Sequence, residues 1–261
     1  MANFSVTPNE RVSFVIPYED DDVVVVEKPA RLVTQPGKGH EDDTLLNGLF
    51  AKYGKQLQNL GAQRDFGLLH RLDRETSGLL VLALRASAYD LLRKSFETRE
   101  VRKFYWAVVA NPPKTEKGVI RRPIAEYEGP GPRARVGAPN RKLAKISSAG
   151  KEAVTAYRVV SSSPHGAILE CRPVTGRLHQ VRVHLASIGS PIAGDGLYAP
   201  PEVAALSSRL ALHAHRLSFT HPITKASIDV TSDWPGDIKS VLKRLSLTKP
   251  KADPKAAGSD D

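Results

Sequence analysis

Cysteine is nearly absent: Cys171 is the single thiol in 261 residues. One thiol cannot close an internal disulfide, and it leaves no cysteine cluster for a metal, so a reducing, cytoplasmic setting is expected. Long apolar runs are missing as well. None approaches the ~18 residues that a membrane-spanning helix requires. The first residues, MANFSVTPNERVSF, lack the basic segment and apolar block of a secretory signal. No internal repeat is visible. A chain of this length suits one large domain or two small ones, with a substantial core.

Positive charge is plentiful, at a net +10, and it is unevenly placed. Residues 1–30 are acidic, with EDDD at 19–22. From Lys114 to Lys151 there are ten Lys/Arg against three Glu, a net +7. A basic stretch of this kind suits a polyanion such as RNA or DNA, and it is equally what a solvated surface looks like.

The apolar pattern outlines the elements. VVVV at 23–26 reads as a buried strand stopped by Lys28-Pro29. DDTLLNGLFAKYG, 42–54, reads as a helix with an Asp cap and a Gly stop. Strands are expected at 78–84, 101–109, 153–160, 166–172, 213–219 and 226–231, and helices at 87–99 and 234–245. Residues 177–189 form the clearest helix, with Leu178, Val181, Leu185 and Ile188 as one apolar stripe and Gly189 closing it. Residues 112–150 read as hairpin and loop, and the tail from Ser246 as disordered. Strands outnumber helices and are often adjacent, which predicts an α+β fold with a mainly antiparallel sheet.

LHRLDRETSGLL, 69–80, sets Asp73 between Arg71 and Arg74 just before an apolar strand. By spacing alone this is a surface ion pair, which is common and weak. A catalytic carboxylate would need partial desolvation and a cation that holds it in place. A distant partner is available: Arg182 lies about 100° around the 177–189 helix from Val181, at the edge of the apolar stripe, and needs an anion if it is buried.

HRLDRETSGLLVLA, 70–83, strongly resembles the catalytic segment of the RluA family of pseudouridine synthases. Further blocks are similar to that family in its own order: VVVVEKPARLVTQPG at 23–37, RKFYWAVV at 102–109, GKEAVTAYRVV at 150–160, RPVTGRLHQVRVHLASIGSPIAGDGLY at 172–198 and LHAHRLSFTHPIT at 212–224. The resemblance runs from about residue 20 to 240. It implies a pseudouridine synthase fold, α+β, with a mixed, largely antiparallel central sheet in two subdomains, flanking helices and a cleft across the middle. Residues 1–19 would be an N-terminal extension, 20–245 the catalytic domain and 246–261 a tail. Some twenty leading residues are too few for the S4-type RNA-binding domain of many relatives.

The implied reaction converts uridine to pseudouridine within RNA, ribosomal or transfer. The N1–C1′ bond breaks, the uracil turns, and C5 bonds to C1′. Nothing is consumed, so no cofactor and no metal are expected. The resemblance makes Asp73 the catalytic carboxylate, either attacking a carbon or accepting the C2′ proton. Arg182 matches its paired arginine, and Tyr105 the tyrosine that packs on the target uracil. Arg71 matches a side chain that fills the gap left by the flipped nucleotide, and could equally bind phosphate. Thr76, Ser77 and Gly78 would form the turn that presents the acid. RNA contacts are further expected from His70 and Arg74 beside the acid, and from Arg177, His179 and Gln180 in the third block.

Taken alone, Tyr105 could be a core aromatic and Arg182 a surface cation. His179 and His184 are five apart, not the four that would stack two imidazoles on one helical face, and His184 is expected as a satisfied core residue. EYEGPGPRARVGAPNRKL, 126–143, is richer in Pro and Gly than a hairpin needs and reads as an arm that orders on RNA. Two other readings compete: a non-catalytic RNA-binding or ribosome-assembly protein on the same scaffold, and a carboxylate-dependent hydrolase. The first has no use for Asp73, Tyr105 and Arg182 together, and the second would want a further acid or a metal. The chain is expected to act as a monomer with no membrane partner.

Overall fold

Four consecutive valines, all fully buried, make the centre of strand β2 (Val23–Lys28). The structure, a computed structural model, describes residues 4–131 and 140–249. β2 sits between the edge strand β1 (Val15–Glu19) and β3 (Ser77–Ala83), antiparallel to both. The remaining large strands are β4 (Arg102–Val109), β5 (Lys117–Arg121), β8 (Val154–Ser163), β9 (Gly166–Pro173), β10 (Leu212–Thr220) and β11 (Ser227–Thr231). Nine strands form one sheet, ordered β1-β2-β3-β10-β4-β9-β8-β5, with β11 on β10. Strands β6 (Ile124–Gly129) and β7 (Arg141–Ile146) make a separate hairpin.

Among the described residues all strand pairings but one are antiparallel. β3 and β10 run parallel and meet only at His213↔Ser77 and Ala214↔Gly78. Gly78 permits this approach. Its φ is +121°, and a Cβ there would lie 2.3 Å from the Ala214 carbonyl oxygen. The short seam divides the sheet into a β1-β2-β3 part and a β10-β4-β9-β8-β5 part.

Helix α1 (Leu45–Leu60) packs on the first part. Its cap is Thr44, not an Asp: the Thr44 hydroxyl accepts from the Asn47 N–H while the Asn47 side chain accepts from the Thr44 N–H, a reciprocal pair that serves two otherwise orphaned donors. The helix also runs past Gly54 to Gly61. Gly54 is needed for close packing, because a Cβ there would lie 2.7 Å from the Phe4 ring. Helix α2 (Ala86–Glu97) follows β3, and α3 (Gln180–Ser187) packs against β7, β8 and β9. α3 starts three residues later than its apolar stripe suggests, because His179 takes a left-handed conformation at φ +52°. Short α4 (Pro201–Ala204) and α5 (Lys239–Arg244) complete the fold.

Both ends of the described chain pack on the core. Phe4 lies edge-on to Phe50 at 5.8 Å, and Val6 is buried, so the expected extension joins the first part of the fold. Leu247 is buried and Lys249 pairs with Asp233, beyond the expected start of the tail. The rest of that tail, and residues 132–139 of the expected arm, lie outside the described residues. Among the described residues no helix is long and apolar enough to cross a membrane.

Candidate active site

Asp73 belongs to the loop that enters β3 at the parallel seam. The loop is tied down along its length. Leu68 bridges Leu82, and the Val81 N–H donates to His70 Nε2 at 3.2 Å. The Thr34 hydroxyl donates to the Leu72 carbonyl at 2.8 Å. A turn closes from the Thr76 N–H to the Asp73 carbonyl at 3.0 Å. From beneath, the fully buried Lys28 ammonium donates to the carbonyls of Pro29, Leu32 and Arg74 at 2.8, 2.7 and 3.3 Å. Burial pulls Lys28 down to about 7, against the opposing charges of Asp73 and Glu75. Backbone carbonyls, not a carboxylate, hold this cation and shape the turn.

The partner comes from 109 residues away. Arg182 Nη1 lies 3.4 Å from Asp73 Oδ2. Its other nitrogens are committed: Nε and Nη2 each donate to Asp195 at 2.8 Å, a two-pronged bond. Asp195 also accepts from the N–H groups of Leu197 and Tyr198. Both side chains are buried. Burial works against the Arg182 charge, and Asp195 outweighs it, so the guanidinium holds its proton more firmly than usual. Asp195 is likewise opposed by burial and held below the usual carboxylate range by Arg182.

His179 adds a neutral group. The Tyr198 hydroxyl accepts from the Ala144 N–H at 3.0 Å and shares a hydrogen bond with His179 Nδ1 at 2.6 Å. His179 Nε2 lies 3.8 Å from Asp73 Oδ2. Burial, opposed by Asp73, lowers His179 to about 4. Tyr198 also lies under the Arg182 guanidinium, 5.1 Å from the ring centre.

Asp73, Arg182 and His179 line a cleft of about 740 Å³. Tyr105 projects into it from β4, while Trp106, on the opposite face, stacks on His215 at 3.8 Å and on Trp234 at 4.7 Å. Burial, then the Asp73 charge, raises the Tyr105 phenol, which stays protonated. Asp73, Arg182, Tyr105, Arg71, His70, Thr76, Arg177, His179 and Gln180 all border the cleft. Arg71 is exposed there.

Two of the expected RNA contacts are placed otherwise. Arg74 does not border the cleft; its guanidinium turns to Glu75 and to the Arg31 carbonyl. Gln180 spends its amide on the protein: Oε1 accepts from the Thr175 hydroxyl and the Arg177 N–H, and Nε2 donates to the Val154 carbonyl and the Thr155 hydroxyl. It braces the turn before α3. His184 is a core residue bound to Thr155 and to the Arg122 carbonyl.

Among the described residues one group has metal-like spacing: Asp20, Asp22 and His221. Its donor chemistry does not fit. His221 Nδ1 accepts from the N–H groups of Ile223 and Thr224, so the proton sits on Nε2, which faces Asp20 at 3.0 Å. A protonated nitrogen offers a metal no lone pair. None of the three borders the cleft.

Asp195, Tyr198, Lys28 and Lys103 escaped the reading of the sequence as site residues. Asp195 was within reach. A buried arginine demands an anion, and GDGLY at 194–198 supplies one shortly after the helix. Lys28 had a signal too, as a lysine at the end of a wholly apolar strand.

Comparison with known proteins agrees with this geometry. A model of the family described as RNA pseudouridylate synthase matches residues 22–187. The chain is 36% identical over 241 residues to ribosomal large subunit pseudouridine synthase D of Zymomonas mobilis, covering 89% of this chain and 73% of that one. It is 34% identical over 237 residues to an uncharacterized RNA pseudouridine synthase of Synechocystis, covering 90% and 70%. Among solved structures, human RNA pseudouridylate synthase domain containing 4 superposes with a TM-score of 0.67 at 27% identity, covering 90% of this chain and 94% of that one. Human RNA pseudouridylate synthase domain containing 1 shares the fold, with a TM-score of 0.68 at 23% identity over 95% and 94% of the two chains. The chain therefore belongs to the RNA pseudouridylate synthase family, RluA type, and is an enzyme that isomerises uridine to pseudouridine in RNA.

Proposed function

We propose that Asp73 is the reacting carboxylate of this isomerase, that Arg182 holds it in place, and that Tyr105 is the platform for the everted uracil. The observation that carries the reading is the 3.4 Å contact between Arg182 Nη1 and Asp73 Oδ2 at the bottom of a cleft that Tyr105 also borders. Asp73 acts on the ribose, by attack on a carbon or by taking the C2′ proton. Both routes need the carboxylate held in one direction, and the fixed guanidinium supplies that hold. His179 contributes a neutral imidazole beside it. Arg71, exposed on the same loop, fills the space left in the RNA when the nucleotide swings out, and Arg177 binds backbone. The aromatic face of Tyr105 contributes roughly 1–3 kcal/mol to holding a base that has left its stack.

The substrate is ribosomal RNA of the large subunit. Support comes from the name of the Zymomonas relative and from the net +7 between Lys114 and Lys151. The reaction consumes nothing, so the chemistry calls for no cofactor or metal, and the proposed enzyme is a cytoplasmic monomer. The test is pseudouridine mapping in large-subunit ribosomal RNA from cells with the gene, without it, and with Asp73→Asn. One or more sites should vanish in both altered strains. Sites lost only from transfer RNA would move the substrate, and sites retained with Asp73→Asn would remove Asp73 from the chemistry.

A further inference from the structure

Lys103 is a cation in the cleft with nothing to neutralise it. Side chains two apart on a strand share a face, so Lys103 follows Tyr105 into the cleft while Phe104 and Trp106 face the other way. Among the described residues its ammonium has no carboxylate and no hydrogen-bond acceptor. Its Nζ lies 5.5 Å from the centre of the Phe96 ring. Desolvation alone acts on Lys103 and pulls it down to about 8. Lys28 and Arg182, the buried cations here, are each satisfied by protein oxygens.

A second donor stands beside it. The Val81 N–H occupies His70 Nε2, which puts the His70 proton on Nδ1, and Nδ1 has no partner. The His70 ring lies 5.1 Å from Phe96. Burial and then the Lys103 charge lower His70 well below its ordinary value, so it stays neutral and within electrostatic reach of Lys103.

Lys103 is half-buried, and a partly desolvated ammonium without a counter-ion is costly. Lys103 offers only protons, so it fits a ligand that only accepts them and carries negative charge. A uracil edge carries no such charge, whereas an RNA backbone carries one at every phosphodiester. We propose that Lys103, with Phe96 shielding it from water, seats the backbone phosphodiester next to the everted nucleotide. That phosphate would sit one strand repeat, about 7 Å, from the Tyr105 platform. The inference rests on Tyr105 and Asp73 as the uridine site.

The test compares Lys103→Met and Lys103→Arg with the wild-type chain. The probe is total RNA labelled with 5-tritiated uridine, taken from cells lacking this gene. At limiting RNA, Lys103→Met should slow tritium release by about tenfold, the size of one lost charge-assisted contact. The fall of log(kcat/KM) with log salt should become shallower by about 0.7, the value for one single-strand phosphate. Lys103→Arg should keep most of the rate and the full slope. The melting temperature of Lys103→Met should hold or rise, since an unpaired, half-buried charge is gone, whereas a purely structural lysine would lower it. An unchanged slope in Lys103→Met, or equal losses in both variants, would overturn the proposal. If the wild-type chain releases no tritium, the Asp73 reading is what fails, and Lys103 is judged by the salt slope of oligouridylate binding, where the same difference of about 0.7 is expected and its absence is contrary.

Discussion

Arg182 is locked to Asp195 through two nitrogens at 2.8 Å each, which leaves only Nη1 to face Asp73. The second carboxylate thus sets the aim of the guanidinium, and a freely rotating arginine would not hold one oxygen of Asp73. Replacing Asp195 with Asn leaves a buried cation without its counter-ion, at a cost of about 3–5 kcal/mol. The urea midpoint should fall accordingly. In the fraction still folded, kcat should drop more than KM rises, because the aim of Arg182 bears on the reacting group more than on RNA binding. Unchanged stability together with unchanged kcat would show that the Asp195 bond does nothing for the site.

Tyr105 tests the platform separately from the acid. Tyr105→Phe keeps the aromatic face and should bind RNA as the wild type does. Tyr105→Leu should weaken binding of a substrate RNA by roughly 1–3 kcal/mol. A fluorescence titration with labelled RNA distinguishes them, and equal affinity in all three chains would rule out stacking on this ring.

Acid sensitivity follows from imidazoles that desolvation keeps neutral, His213 and His179 among them. Burial lowers His213, bound between Ser77 and Ser232, to about 3, and His179 to about 4. Their folded values lie below the unfolded value near 6.5, so the unfolded chain takes up protons first as the pH falls. Stability from both groups is complete above about pH 6.5 and is lost progressively toward pH 4 and below. Each should contribute a loss on the order of 2 kcal/mol between pH 7 and pH 5. Urea unfolding at the two pH values checks this, and a flat profile across that window would contradict it.

Much of the fold is written plainly in the order of residues, and the exceptions share a physical origin. The run of valines marks β2, because a strand buried on both faces cannot alternate. Asp73 and Arg182 could be paired from sequence, because a family resemblance and an arginine at the edge of an apolar stripe point the same way. The cap of α1 was misread because Thr44 follows two aspartates that cap equally well by composition. Gly54 was misread because the partner that requires a glycine, Phe4, is fifty residues distant. Gln180 and Arg74 look like RNA ligands until their hydrogen bonds are traced into the protein. Asp195, Lys28 and Lys103 matter through burial, which no local pattern of residues reports.

Everything said of the chemistry depends on one negative charge, that of Asp73, and its most direct test is tritium release from RNA labelled at C5 of uridine. Asp73→Asn keeps the size and most of the hydrogen bonding of the side chain, so it should bind RNA about as well as the wild type while releasing no tritium above background. Release by the Asn variant at a rate near that of the wild type would contradict the assignment of the reaction to this carboxylate.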